Sequence, residues 1–142
     1  MSILAIDYGD AHTGLAVSDA TNTIPGPADT VHSRQLEPVL TAIEKLIDAY
    51  AVTEIVLGYP KNMDGTLGER AKRAEELSKV LEERFALPVH LWDERRTTID
   101  AHAILFKSGK NGKKRKGVVD AVAAALILEG YLTYRRERDA DG

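Results

Sequence analysis

Ile3-Leu4-Ala5-Ile6-Asp7-Tyr8-Gly9-Asp10, taken up again after Ala11 and His12 by Thr13-Gly14-Leu15-Ala16-Val17-Ser18, decides the fold of this chain. The first run is continuously apolar and ends abruptly in polar and glycine residues. The second is apolar again after a gap too short for anything but a turn. This pattern reads as a buried strand, a tight turn and an antiparallel return strand. Asn22, Pro25, Gly26 and Pro27 then surround a short third strand within residues 19–35.

Beyond that meander the period changes. Leu36, Val39, Leu40, Ile43, Leu46, Ile47 and Tyr50 recur at helical spacing. Glu54-Ile55-Val56-Leu57 reads as another buried strand, closed by Gly58-Tyr59-Pro60 and the turn-rich Asn62-Met63-Asp64-Gly65. Thr66 and Glu69 have the spacing of a capping box, which opens a helix to about Phe85. Acids and bases four residues apart, Glu69 with Arg73 and Glu75 with Lys79, give that helix a solvated face. Val89-His90-Leu91-Trp92 is a further strand after Pro88, and Thr97 or Thr98 caps a helix through Phe106. Lys107, Lys110, Lys113, Lys114, Arg115 and Lys116, mixed with Ser, Asn and Gly and without an acid, read as a flexible cationic loop. The last helix is expected from about Val118 to Arg136, with a frayed tail at 137–142. The expected order is three antiparallel strands followed by alternating helices and strands. That makes a single α/β domain over residues 1–136, a mixed five-stranded sheet with helices on both faces.

The chain has 142 residues, 44% of them hydrophobic, enough for one core and too few for a second full domain. The absence of cysteine removes disulfides, thiolate metal sites and cysteine nucleophiles, and the four scattered histidines have no metal-ligand spacing. No apolar run reaches the length of a membrane span, and Met1–Asp7 lacks a secretory signature. A soluble cytoplasmic protein without a membrane partner is expected.

Ligands gather at the carboxyl ends of strands in sheets of this kind. Asp7, the Gly58–Asp64 loop and Asp93-Glu94 each follow an apolar strand directly, and Asp120 is expected in the first turn of the last helix, where the helix dipole favours it. Crowded carboxylates repel one another, and hard divalent cations such as Mg2+ or Mn2+ relieve that repulsion with oxygen ligands. A metal pair in such a site stabilises the attacking and leaving oxygens of a phosphodiester displacement. The net charge is −3, so a cationic cluster from Lys107 to Lys116 points to a phosphate-backbone partner, with Lys116 able to neutralise a scissile phosphate.

Asp7-Tyr8-Gly9 with Gly14 and Ala16, Gly58-Tyr59-Pro60 with Asn62-Met63-Asp64-Gly65-Thr66, Asp93-Glu94-Arg95 with Thr97-Thr98, and Asp120 with Ala123-Ala124 and Ile127-Leu128 together resemble the YqgF/RuvX family over Ile3 to Leu132. The resemblance implies a ribonuclease-H-like fold and a nuclease that processes precursor 16S ribosomal RNA in ribosome biogenesis, or acts on branched DNA as a Holliday junction resolvase. It also implies that Asp7, Glu94 and Asp120 are the catalytic, metal-binding acids, and that Gly9, Gly58, Asn62, Asp64, Arg95 and Thr98 line the substrate site. Where the family commonly carries Thr-x-Arg, this chain has Asp10 and His12. A titratable imidazole thus stands in the place of a permanently charged phosphate contact. A resolvase cutting two symmetric strands works most simply as a homodimer, whereas trimming an RNA end needs only a monomer.

Two other readings compete. Asp-x-Gly followed by a hairpin also opens the phosphate-binding domains of actin-like ATPases and sugar kinases, but those sites lie between two domains and this chain has room for one. A non-catalytic RNA-binding assembly factor would keep the fold and the basic segment and lose the chemistry.

Overall fold

The computed structural model describes residues 2–9, 11–18, 25–59, 68–93 and 112–141, with backbone alone at 25–27, 112–122 and 138–141. The chain runs β1 (Ser2–Asp7), β2 (His12–Ser18), β3 (Pro25–His32), α1 (Leu36–Tyr50), β4 (Val52–Tyr59), α2 (Glu69–Phe85), β5 (Val89–Asp93) and α3 (Gly112–Asp141). The strands form one five-stranded sheet in the order β3-β2-β1-β4-β5. β1 pairs antiparallel with β2 and β2 with β3, while β4 is parallel to both β1 and β5. The expected α/β meander with alternating helices and strands is therefore the observed one, with a third strand of eight residues rather than a short one.

β1 is central, which is why its sequence does not alternate between apolar and polar residues: both of its faces are covered. Leu4 and Ile6 join Leu15, Val17, Ile55 and Leu57 against α1 and α2. Ile3 and Ala5 join Ala16, Val56 and Trp92 against Ala124, Ile127 and Leu128 of α3. Ala5 and Ala16 are register partners and, like Ala124, fully buried, so small side chains on both sides bring α3 close to the sheet.

Four expectations are corrected here. α2 begins at Glu69 with Gly68 as its N-cap and no side-chain cap, so the Thr66–Glu69 box is two residues out of step; glycine tolerates the cap position, and Glu69 instead meets the helix dipole in the first turn. The segment expected as a flexible loop is helical from Gly112 onward, because lysine and arginine are good helix formers and extend the last helix backward. Asp120 consequently lies in the third turn rather than the first, and the dipole argument for it lapses. At its other end α3 continues past Arg136 to Asp141. The helix expected at 97–106 and the residues 107–111 lie outside the described residues.

α1 and α2 both end on alanines in the left-handed region, Ala51 (φ 51) and Ala86 (φ 54), whose N–H groups donate to the carbonyls of Ile47 and Glu82. A residue with a Cβ loses about 1–2 kcal/mol there, and glycine loses roughly 0.5–1 kcal/mol more chain entropy on folding. Ala51→Gly and Ala86→Gly should therefore each raise stability by about 0.5 kcal/mol in urea denaturation; a fall in either midpoint contradicts this account of the caps.

The Tyr59 hydroxyl, at the end of β4, donates to Glu75 of α2. That bond, burial of the ring and the nearby carboxylate charge together hold its ionisation above the ordinary tyrosine value of 10.0. Folding thus binds the phenolic proton more tightly than the unfolded chain does. The contribution is complete below about pH 10 and is lost as pH rises through the elevated value. The stability advantage of the wild type over Tyr59→Phe should shrink between about pH 8 and pH 11 in urea titrations; a constant difference would show that the bond does not favour the protonated phenol.

Candidate active site

The site begins where the apolar content of β1 runs out. Ile3 and Ala5 face α3, and the period of two carries that face to Asp7, a half-buried carboxylate at the last position of the strand. Asp7 is opposite Gly14 on β2, and Gly14 is opposite Thr30 on β3. On the other side Ile6 pairs with Leu57, which brings Asp7 level with Gly58, and Gly58 pairs with Trp92. Asp7 therefore stands between two glycines, with no side chain beside it on either neighbouring strand.

Among the described residues no hydrogen bond or ion pair reaches the Asp7 carboxylate. A partly buried acid in this setting needs a cation or water to offset lost hydration. The donor set suits a hard divalent cation, which takes carboxylate oxygen as its preferred ligand and fills space that a neighbouring side chain would otherwise occupy. Asp7 is the one acid of the expected trio with a described side chain, and among the described residues no three potential ligands come together.

Gly9 has a structural reason for its identity. A Cβ at this position would collide with the backbone carbonyl of His12, so the turn between β1 and β2 closes only over glycine. His12 belongs to the same face as Gly14 by alternation. It does not stand alone, because its cross-strand partner is His32, the two Nδ1 atoms are 2.7 Å apart, and the rings meet edge to face at 4.8 Å. One ring nitrogen must donate and the other accept. The pairing follows from the β2–β3 register, which sets the two histidines opposite each other, and no local sequence pattern announces it.

Gly58 is buried in β4 on the Asp7 face. Asp120, Lys113, Lys114, Arg115 and Lys116 lie on the backbone of α3, which covers the same face. Helical spacing sets Asp120 one turn ahead of the buried Ala124. Glu94, Arg95, Thr98, Asn62, Asp64 and Asp10 lie outside the described residues.

The opposite end of α3 is anchored on Glu54. That carboxylate accepts from the Tyr131 hydroxyl at 2.9 Å and from Arg135 at 3.4 Å, with His90 Nε2 at 3.7 Å. Tyr131 also meets the His90 ring at 5.6 Å and the Trp92 ring at 6.0 Å. Glu54 pairs with Ile3, at the far end of β1 from Asp7. Sequence reading missed this anchor, because nothing local links an acid on β4 to residues more than seventy positions later.

Residues 1–134 match the RuvX family, described as a Holliday junction resolvase. A relative from Lachnospira eligens, named as a candidate pre-16S rRNA nuclease, is 44% identical over 140 residues, covering 96% of this chain and 100% of the relative. A second from Halothermothrix orenii, with the same name, is 42% identical over 137 residues, covering 96% and 98%. In fold, the chain is similar to Thermus thermophilus RuvC at a TM-score of 0.58 and 14% identity, covering 96% of this chain and 97% of that one. It is also similar to the Fowlpox virus resolvase at a TM-score of 0.55 and 11% identity, covering 94% and 98%. A match over nearly the whole chain, relatives above 40% identity at full length and a shared mixed sheet agree: this chain belongs to the RuvX family.

Proposed function

We propose that this protein is a divalent-metal-dependent nuclease that hydrolyses phosphodiester bonds in precursor 16S ribosomal RNA, with Asp7, Glu94 and Asp120 as its metal-holding acids. The observation that carries the reading is the half-buried Asp7 between Gly14 and Gly58, without a partner among the described residues, at the carboxyl end of the central strand. Two further features support it. Trp92 faces α3 two positions before Glu94, and α3 runs about 16 Å from its anchor at Tyr131 back to Asp120 over the face that Asp7 shares.

A bound Mg2+ or Mn2+ would supply Lewis acidity at the scissile phosphate and lower the pKa of a water that attacks it. The protein's own contribution is to hold three carboxylates at one sheet end and to leave the Asp7 row clear for a phosphate. Gly9 permits the tight turn beside that phosphate. Asn62, Asp64, Arg95 and Thr98 would position the substrate around it, and the Lys113–Lys116 segment of α3 would draw in its backbone. His12, bonded to His32, would offer an N–H to phosphate from one ring of the pair.

The family description favours a second substrate, the four-way DNA junction, which would call for a two-fold dimer. One panel separates the readings: purified protein with a 16S precursor RNA, unrelated single-stranded RNA and a four-way DNA junction, under Mg2+ and Mn2+. The precursor should be cleaved in preference to the junction, and chelation should abolish cleavage. Asp7→Asn, which is nearly isosteric, should retain its circular dichroism and RNA binding while cleavage falls by roughly 10²–10³. Cleavage by Asp7→Asn at the wild-type rate contradicts the assignment of Asp7, and RNA binding without cleavage by the wild type favours an assembly factor.

A further inference from the structure

Asp7 and Tyr8 are neighbours in the chain and point to opposite faces of the sheet. Tyr8 packs against the edge of the core that β1 shares with α1 and α2. There it forms one wall of a cleft of about 540 Å³, floored by Leu36 and Leu77 and rimmed by Arg34, Arg73 and Glu76. Arg70 stands beside it, its Nη2 donating to the Tyr8 carbonyl at 3.5 Å. Two guanidinium groups therefore share the cleft rim with one carboxylate, on a chain whose net charge is −3.

The start of α1 opens on the same cleft through Leu36. Its N-cap, Gln35, makes no side-chain cap bond, but Glu37 already meets the helix dipole in the first turn and Pro38 carries no N–H, so the side chains of the cleft rather than the helix start supply its donors. Arg34 has no hydrogen bond or ion pair among the described residues. An apolar floor, an aromatic wall and forked cationic donors make a set that recognises a phosphate with a base attached.

We infer that this cleft is a second binding subsite, which takes the single-stranded flank of the nucleic acid cleaved at Asp7. Arg34 and Arg73 hold its phosphates and Tyr8 stacks on a base. The inference rests on the nuclease reading above and deepens it. A strand crossing the sheet end at Asp7 passes directly from the α3 face to the α1/α2 face, because consecutive residues of β1 open on the two sides. The solvated face expected for α2 is, at Arg73 and Glu76, part of a cleft.

The test is a salt series of affinity for a fluorescent single-stranded RNA of about ten nucleotides, in chelator so that nothing is cleaved. The full-length wild type, Arg34→Ala/Arg73→Ala and Arg34→Lys/Arg73→Lys are compared. Each phosphate contact on a single strand contributes about 0.7 to the slope of log K against log salt. The alanine double variant should bind more weakly and its slope should be shallower by about 1.4, while its thermal midpoint is unchanged. The lysine variant keeps the charge and should retain most of the slope. RNA binding with the same slope and affinity in all three proteins overturns the subsite and leaves the nuclease reading standing; failure of the wild type to bind any RNA overturns both.

Discussion

Burial of β1 on both faces is the constraint from which the remaining architecture follows. Ile3, Leu4 and Ile6 are essentially inaccessible, and removing each from water contributes about 1.5–3 kcal/mol. A strand covered on both sides must lie inside the sheet, must have helices above and below, and can carry a polar group only where it emerges. That point is Asp7. Leu4 and Ile6 fill the α1/α2 side, and the small Ala5, opposite Ala16 and beside Ile3 on the other face, lets Ala124 and the rest of α3 settle against it. The face that carries Asp7 is thus also the face that α3 covers.

Most of this was legible in the sequence because it depends on periodicity. The apolar runs of β1 and β4 gave the buried strands, and the Leu36–Tyr50 stripe gave α1. What could not be read depends on competition between nearly equal local choices or on contacts between distant segments. Gly68 and Thr66 are both acceptable helix starts, and packing of Ala71 and Ala74 selects the later one. The Lys113–Lys116 run has the composition of a solvated loop and the propensity of a helix, and continuity with a helix already packed through Ala124 and Ile127 decides for the second. Glu54 with Tyr131 and Arg135, and Tyr59 with Glu75, join residues that no local pattern connects.

The candidate site divides along the same line. The role proposed for Asp7 follows from an acid placed at the end of a buried strand, whereas the two glycines that flank it become meaningful only once the registers with β2 and β4 are known. His12 shows the opposite case: read alone it is a substitute for a phosphate-binding arginine, and in the sheet it is one half of a bonded pair with His32. Cations are gathered in two places in the chain. Cations precede Asp120 on α3, and guanidinium groups line the cleft beside Tyr8. An acidic protein can attract a polyanion when its cations are clustered rather than spread evenly.

The central claim, a metal centre at Asp7, is tested most directly by the paramagnetic effect of Mn2+ on backbone amide resonances. Amides of Asp7, Gly14, Gly58 and Trp92, which share one row across the sheet, should broaden first as Mn2+ is added. Those of Ser2, Val52 and Arg135 at the opposite end should stay sharp, and Asp7→Asn should suppress the broadening. Broadening centred on Glu54 or on the α1/α2 cleft, or a pattern indifferent to Asp7→Asn, would contradict the account.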